Sequence, residues 1–168
     1  MSLLTQLEAL SYLVTIIGLP FALWVFIAER RKERLNDDEE VYLQLADDYE
    51  NFLKLVLEHP DLRLMTQAQP ATPFTPDQIE RREVLFEILI SIFERSYILV
   101  YETTMSRQTA RLWQTWEDYM RAWCRRRDFR DLLPKLLEGE DPDFQAHIRL
   151  IAQEESRRAE PDRARTVA

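Results

Sequence analysis

One stretch without a single charge constrains this chain more than any other feature. Residues 9–28 (ALSYLVTIIGLPFALWVFIA) contain no Asp, Glu, Lys or Arg, although charged residues make up 31% of the sequence. At ~1.5 Å rise per helical residue, such a run reaches across the roughly 30 Å hydrocarbon core of a bilayer. It ends abruptly at Glu29-Arg30-Arg31-Lys32-Glu33-Arg34. Tyr12 lies near one end, with Trp24 and Phe26 near the other, where interfacial aromatic rings are favoured. A buried core helix usually keeps a polar stripe, and the run offers only Ser11 and Thr15 for one. A secretory signal peptide needs basic residues ahead of its apolar core and a small-residue cleavage site behind it. Residues 1–8 hold no Lys or Arg, and the basic cluster comes afterwards. The run therefore reads as a retained transmembrane helix.

Orientation follows from the same asymmetry. Arg30, Arg31, Lys32 and Arg34 follow the span and no basic residue precedes it, so the positive-inside rule places the remainder of the chain in the cytoplasm. Residues 1–8 become a short segment outside, with Glu8 their only charged side chain. The expected location is the inner (cytoplasmic) membrane, crossed once. The lipid bilayer is the first partner, and Trp24, Arg30, Arg31, Lys32 and Arg34 sit at its interface. Pro20 removes a backbone donor in mid-span, a defect that a membrane helix tolerates when neighbours satisfy the freed carbonyl. Gly18 does not form a GxxxG pattern for close helix pairing.

The composition narrows the function classes. The chain carries 22 Lys+Arg against 30 Asp+Glu, a net charge of −8, which argues against a nucleic-acid polymer as partner. With 2 Gly in the whole chain there is no glycine-rich phosphate loop, and a turn-dense all-β fold is disfavoured. Cys124 is the one cysteine, so there is no internal disulfide framework and no all-cysteine zinc site.

Beyond the span the pattern is helical throughout. Residues 35–59 place Leu45, Tyr49, Phe52, Leu53 and Val56 on one stripe with acidic residues opposite, and Pro60 stops that helix. No Gly or Pro falls between Lys32 and His59, so the membrane helix is expected to run on as a rod. Residues 61–76, with Pro70, Pro73 and Pro76, form a loop. Thr75-Pro76-Asp77-Gln78 then writes a capping box with proline at the first helical position. Residues 84–102 are apolar on most faces, yet Glu87, Glu94 and Arg95 lie among them. Each would cost roughly 2.5–3.5 kcal/mol near a bilayer centre, so this is the central helix of a soluble bundle and not a second span.

Ser106 caps the next helix, which carries Leu112, Trp116, Tyr119 and Trp123 on one stripe with Trp113 beside it. Pro134 is expected to interrupt it, and Gly139 to end the short segment that follows. Asp141-Pro142 opens a last amphipathic helix through Phe144, Ile148 and Ile151. Residues 156–168 alternate charges without apolar residues to bury and are expected to fray. The predicted architecture is all-α: one N-terminal transmembrane helix, then a three- to four-helix cytoplasmic bundle over residues 29–155.

The candidates for chemistry are few. Trp113, Trp116 and Trp123, followed by Arg125, Arg126, Arg127 and Arg130, combine rings that stack a base with guanidinium groups that hold phosphate. Their helical spacing favours the competing reading, rings in the core and arginines in solvent. Arg125 to Arg127 also suit contact with anionic lipid. The acidic run from Asp37 to Glu58 lacks the Glu-x-x-His pairs of a di-metal bundle, because neither His59 nor His147 has a Glu three residues earlier. His147 falls on a charged face. Glu80, Glu87 and Glu94 recur every seven residues, a line suited to ion pairs with arginines of the following helix. Cys124 has no histidine placed to activate it, although nearby arginines would lower its pKa if close in space. No metal, cofactor or catalytic set emerges. The expected function is a non-enzymatic interaction or scaffold module at the cytoplasmic face of the membrane, binding a protein partner or itself. The alternative is a membrane-tethered sensor whose bundle binds a small anionic ligand such as a nucleotide.

Overall fold

The computed structural model describes residues 21, 23–26, 40–66 and 72–166, with side chains as far as residue 159. Every regular element among the described residues is helical, so the fold is all-α. The chain divides into two compact units, Met1–Glu40 and Val41–Ala168.

In the first unit, residues 21 and 23–26 are helical, and the Phe21 and Trp24 rings lie 6.2 Å apart. The rest of the expected span at 9–28, the flank at 1–8 and Arg30, Arg31, Lys32 and Arg34 lie outside the described residues. Among the described residues no helix is long and apolar enough to cross a membrane.

Helix α1 (residues 40–58) begins at the last residue of the first unit, and the second unit holds the rest of it with a 3-10 turn η1 (Pro60–Leu62), α2 (Pro76–Val100), α3 (Arg107–Cys124), α4 (Arg127–Leu136) and α5 (Pro142–Thr166). The starts follow from side-chain capping of orphan amides. Thr75 Oγ1 accepts from the Gln78 amide at 3.3 Å, and Gln78 Oε1 accepts from the Thr75 amide at 3.0 Å. Ser106 Oγ accepts from the Thr109 amide at 3.1 Å. Asp141 Oδ1 accepts from the amides of Asp143 and Phe144 at 3.0 and 2.9 Å. Pro60 ends α1 as expected, and Arg63 turns the chain in the left-handed region at φ 51°.

The expectation of three or four helices is corrected to five among the described residues of this unit. The break falls at Arg125–Arg126 and not at Pro134, which lies inside α4. Its cause is a side chain reaching back. Arg130 Nη1 donates to the carbonyls of Cys124 and Arg125 at 2.6 and 2.8 Å, satisfying acceptors left open at the end of α3. Pro134 forfeits one amide donor, while Phe129, Leu133 and Leu136 hold α4 in the core. Gly139, at φ +90°, then makes the turn that a side chain would strain.

The C-terminal helix also differs from expectation, because the backbone stays helical beyond Glu155 to Thr166. Glu155 is only 2% exposed and receives Arg125 at 3.1 Å, and Arg158 pairs back to it within α5 at 2.8 Å.

The core is one continuous cluster. Phe52 comes from α1, Phe86, Leu89, Ile90 and Phe93 from α2, Trp116 and Met120 from α3, Phe129 from α4, and Phe144 and Ile148 from α5. The central helix α2 contacts η1, α3, α4 and α5, which accounts for its apolar character on most faces. It runs antiparallel to α1: Asp48 pairs with Arg95 near one end, and His59 and Asp61 with Arg81 near the other.

Candidate functional site

The proposed ligand residues are not gathered into one surface. Trp113, Trp116 and Trp123 are 5%, 1% and 5% exposed, with their faces covered by other rings. Trp116 meets Tyr49 edge-on at 6.1 Å, and Trp123 meets Phe52 at 5.5 Å while its indole N–H donates to the Tyr49 hydroxyl at 3.1 Å. Tyr49 in turn stacks on Tyr119 at 4.4 Å. None of these three indoles presents a face open to a base.

The arginines are dispersed in the same way. Arg125 holds Glu155, Arg127 pairs with Asp131 at 3.5 Å on the surface, and Arg130 closes α3. Arg126 is nearly buried and donates to the carbonyls of Leu64 and Thr66 at 2.6 and 2.8 Å, clamping the chain after η1 against α4. It also holds both oxygens of Asp128 at 3.1 and 2.7 Å. Asp128 simultaneously receives Arg82, whose guanidinium lies 4.4 Å over the Phe74 ring. Burial pulls the Arg82 pKa down, with Asp128 opposing that shift. Two nearly buried cations thus share one carboxylate.

Cys124 corrects a second expectation. The thiol is fully buried, and loss of solvent pushes its pKa up to about 12 despite Arg130 and Arg121 nearby. A thiol in that state is neither nucleophilic nor readily oxidised. Folded protein at pH 8 should therefore react with Ellman's reagent at least about a hundredfold more slowly than urea-unfolded protein. Comparable rates in the two states would contradict the burial.

His147, expected on a charged face, sits in an aromatic cluster. Its ring lies 5.2 Å from Tyr97, 5.6 Å from Tyr101 and 5.5 Å from Trp113, and its buried Nε2 has no hydrogen-bond partner among the described residues. Burial lowers its pKa below the ordinary 6.5, with Glu117 and Glu154 opposing and Arg121 reinforcing that shift. The unfolded chain therefore takes up the proton first. The stability contributed by His147 is complete above that ordinary value and is lost as pH falls through the folded one.

Glu94 does not pair with α3, as its seven-residue recurrence suggested. Its carboxylate accepts from the Asp141 amide and lies beside Glu140. Burial and Glu94 raise the Glu140 pKa to about 7, so its contribution has the opposite sign: present below the ordinary 4.5 and lost as pH rises through 7. Urea midpoints measured from pH 5 to 8 should separate the two. His147→Phe should remove a rise of the midpoint with pH below the ordinary 6.5, and Glu140→Gln should remove a fall of the midpoint between 4.5 and 7, so the two variants tilt the same window in opposite directions. Unchanged slopes in both variants would contradict the assignment.

No group of three His, Cys, Asp or Glu that could hold a metal ion is gathered among the described residues. The feature that the residue pattern missed is a groove of about 460 Å³ between α1 and α2. Phe52 and Ile92 form its floor, Leu55 and Ile88 its apolar walls, and Asp48 and Arg95 close one end at 2.7 Å. Leu55 and Ile88 are each 36% exposed, and Val84, one turn before Ile88, is 48% exposed. The signal was present in the spacing of Val84, Ile88, Ser91 and Arg95, a second face of α2 hidden by its overall hydrophobicity. Comparison with protein-family models, curated proteins and solved structures finds no match to this chain.

Proposed function

We propose that this chain is a single-pass membrane protein whose helical domain acts as a non-enzymatic interaction module on the cytoplasmic face. The observation that carries the reading is the uncharged run at residues 9–28, followed at once by Arg30, Arg31, Lys32 and Arg34. A tether of this kind concentrates a binding domain at the membrane and orients it. Two features of the helical unit support a binding role. The candidate side chains of the helical unit are occupied within the fold: Cys124 is buried, the indoles of Trp113, Trp116 and Trp123 are covered, and Arg125, Arg126, Arg127 and Arg130 are engaged. An apolar groove nevertheless remains open between α1 and α2.

The test is amine-reactive crosslinking in intact cells, comparing the full chain with one lacking residues 1–28. The tethered chain should give discrete adducts that the truncated chain loses or forms in much lower yield. Identical adducts from both would remove the tether from the account. Absence of any adduct from the full chain would remove the interaction role.

A further inference from the structure

We infer that the α1/α2 groove receives a basic amphipathic helix of a partner protein, an assignment that rests on the interaction-module reading and specifies its surface. The groove has an apolar floor at Phe52 and Ile92 and apolar walls at Leu55 and Ile88, and Val84 continues the α2 wall. At ~1.5 Å per residue, the face from Val84 to Arg95 runs roughly 16 Å, enough for about three turns of a docked helix. Apolar side chains at i, i+3 and i+4 of such a helix are the usual occupants of a groove of this kind.

The charge around the groove selects the partner. Each cation described on α1 and α2 is already held by a carboxylate of this chain: Lys54 by Glu50, Arg81 by Asp61 and Asp77, Arg82 by Asp128, and Arg95 by Asp48. The carboxylates are in excess. Glu87 lines the groove and is exposed, and it makes no ion pair or hydrogen bond with the described residues. Glu58 lies about one turn beyond Leu55 and Glu80 one turn before Val84; both are exposed, and neither makes an ion pair with the described residues. The Glu87 charge is also felt by Lys135, which Glu83 already holds, and apolar walls rimmed by carboxylates without ion pairs complement apolar anchors flanked by Lys or Arg. The same charge disfavours the other occupants. A second copy of this chain brings a net −8, and the anionic inner leaflet repels the rim.

The experiment places a photoreactive benzoylphenylalanine at Ile88 in the full-length protein, expressed in the cells that make it. A second protein carries the same group at Leu150, exposed on α5. Illumination should join the Ile88 probe to a different protein, and the joined peptide should be an amphipathic segment bearing Lys or Arg. Glu87→Lys should lower that adduct about tenfold or more by placing like charges together, and raised salt should lower it too. Glu87 is exposed, so the substitution leaves the fold in place. An adduct with a second copy, an adduct with lipid, a joined peptide without basic residues, or insensitivity to Glu87→Lys would overturn the assignment. Adducts at Leu150 with none at Ile88 would overturn the groove alone and leave the module standing. Adducts at neither position would overturn both.

Discussion

Trp116→Ala is expected to lower the unfolding free energy of the helical domain by about 3–5 kcal/mol, the usual cost of deleting a large buried ring. Trp116 is the largest fully buried side chain and meets Tyr49 and Tyr119 at 6.1 and 5.8 Å, so its removal leaves a cavity walled by rigid rings. Rings of that kind collapse poorly into a void, which places the cost toward the upper end. A domain of this size has about 5–15 kcal/mol in total, so a third or more of its stability is at stake. Urea unfolding followed by circular dichroism at 222 nm reads the effect as a shifted midpoint. Trp24→Ala supplies the contrast. That ring is 66% exposed and in the other compact unit, so the midpoint of the helical domain should move by less than about 0.5 kcal/mol. The pair also separates two readings of the tryptophans, since a ligand platform at Trp116 would predict lost ligand binding with stability intact.

The second large effect is expected at Asp128. Its side chain is 32% exposed, while those of Arg82 and Arg126, which share it, are 11% and 10% exposed. Removing one member of a buried pair costs about 3–5 kcal/mol because the remaining charge is left uncompensated. Here the carboxylate is one-third exposed, and solvent screening reduces the expected loss for Asp128→Ala to about 2–4 kcal/mol. A double variant separates charge from packing. Arg82→Met beside Asp128→Ala removes the stranded cation, and the double variant should recover at least half of the single loss. Simple addition of the two single losses would mean that the carboxylate acts only as a packing element. Arg126 is the less suitable partner to remove, because it also holds the Leu64 and Thr66 carbonyls.

The helix starts were legible in the sequence because capping is local. Thr75, Ser106 and Asp141 each lie within three residues of the amides they satisfy, and spacing alone identifies them. The buried stripes were legible for the same reason, from Leu45, Phe52 and Val56 in α1 to Phe144, Ile148 and Ile151 in α5. The break between α3 and α4 was not. It depends on where the Arg130 side chain goes, and a proline eight residues downstream of Arg126 gave the louder but misleading signal. Arginine roles were illegible on similar grounds, since Arg126 reaches residues 62 and 60 positions away while Arg127 stays on its own helix. Cys124 and His147 were misjudged because burial, which the local sequence does not show, outweighs the charges that lie near them in space. The α1/α2 groove was partly visible in the spacing of Val84, Ile88, Ser91 and Arg95, but its acidic character appears only once the cations are seen to be paired.

The measurement that bears most directly on the central claim is alkaline extraction and protease protection of the full-length protein, beside a form lacking residues 1–28. The full chain should remain with the membrane through alkaline extraction. A C-terminal tag should resist protease in spheroplasts and be cut after lysis, and deletion of residues 1–28 should release the protein into the soluble fraction. Full-length protein recovered in the soluble fraction, or a C-terminal tag digested in intact spheroplasts, would contradict the anchor or its orientation and with it the proposed role at the cytoplasmic face.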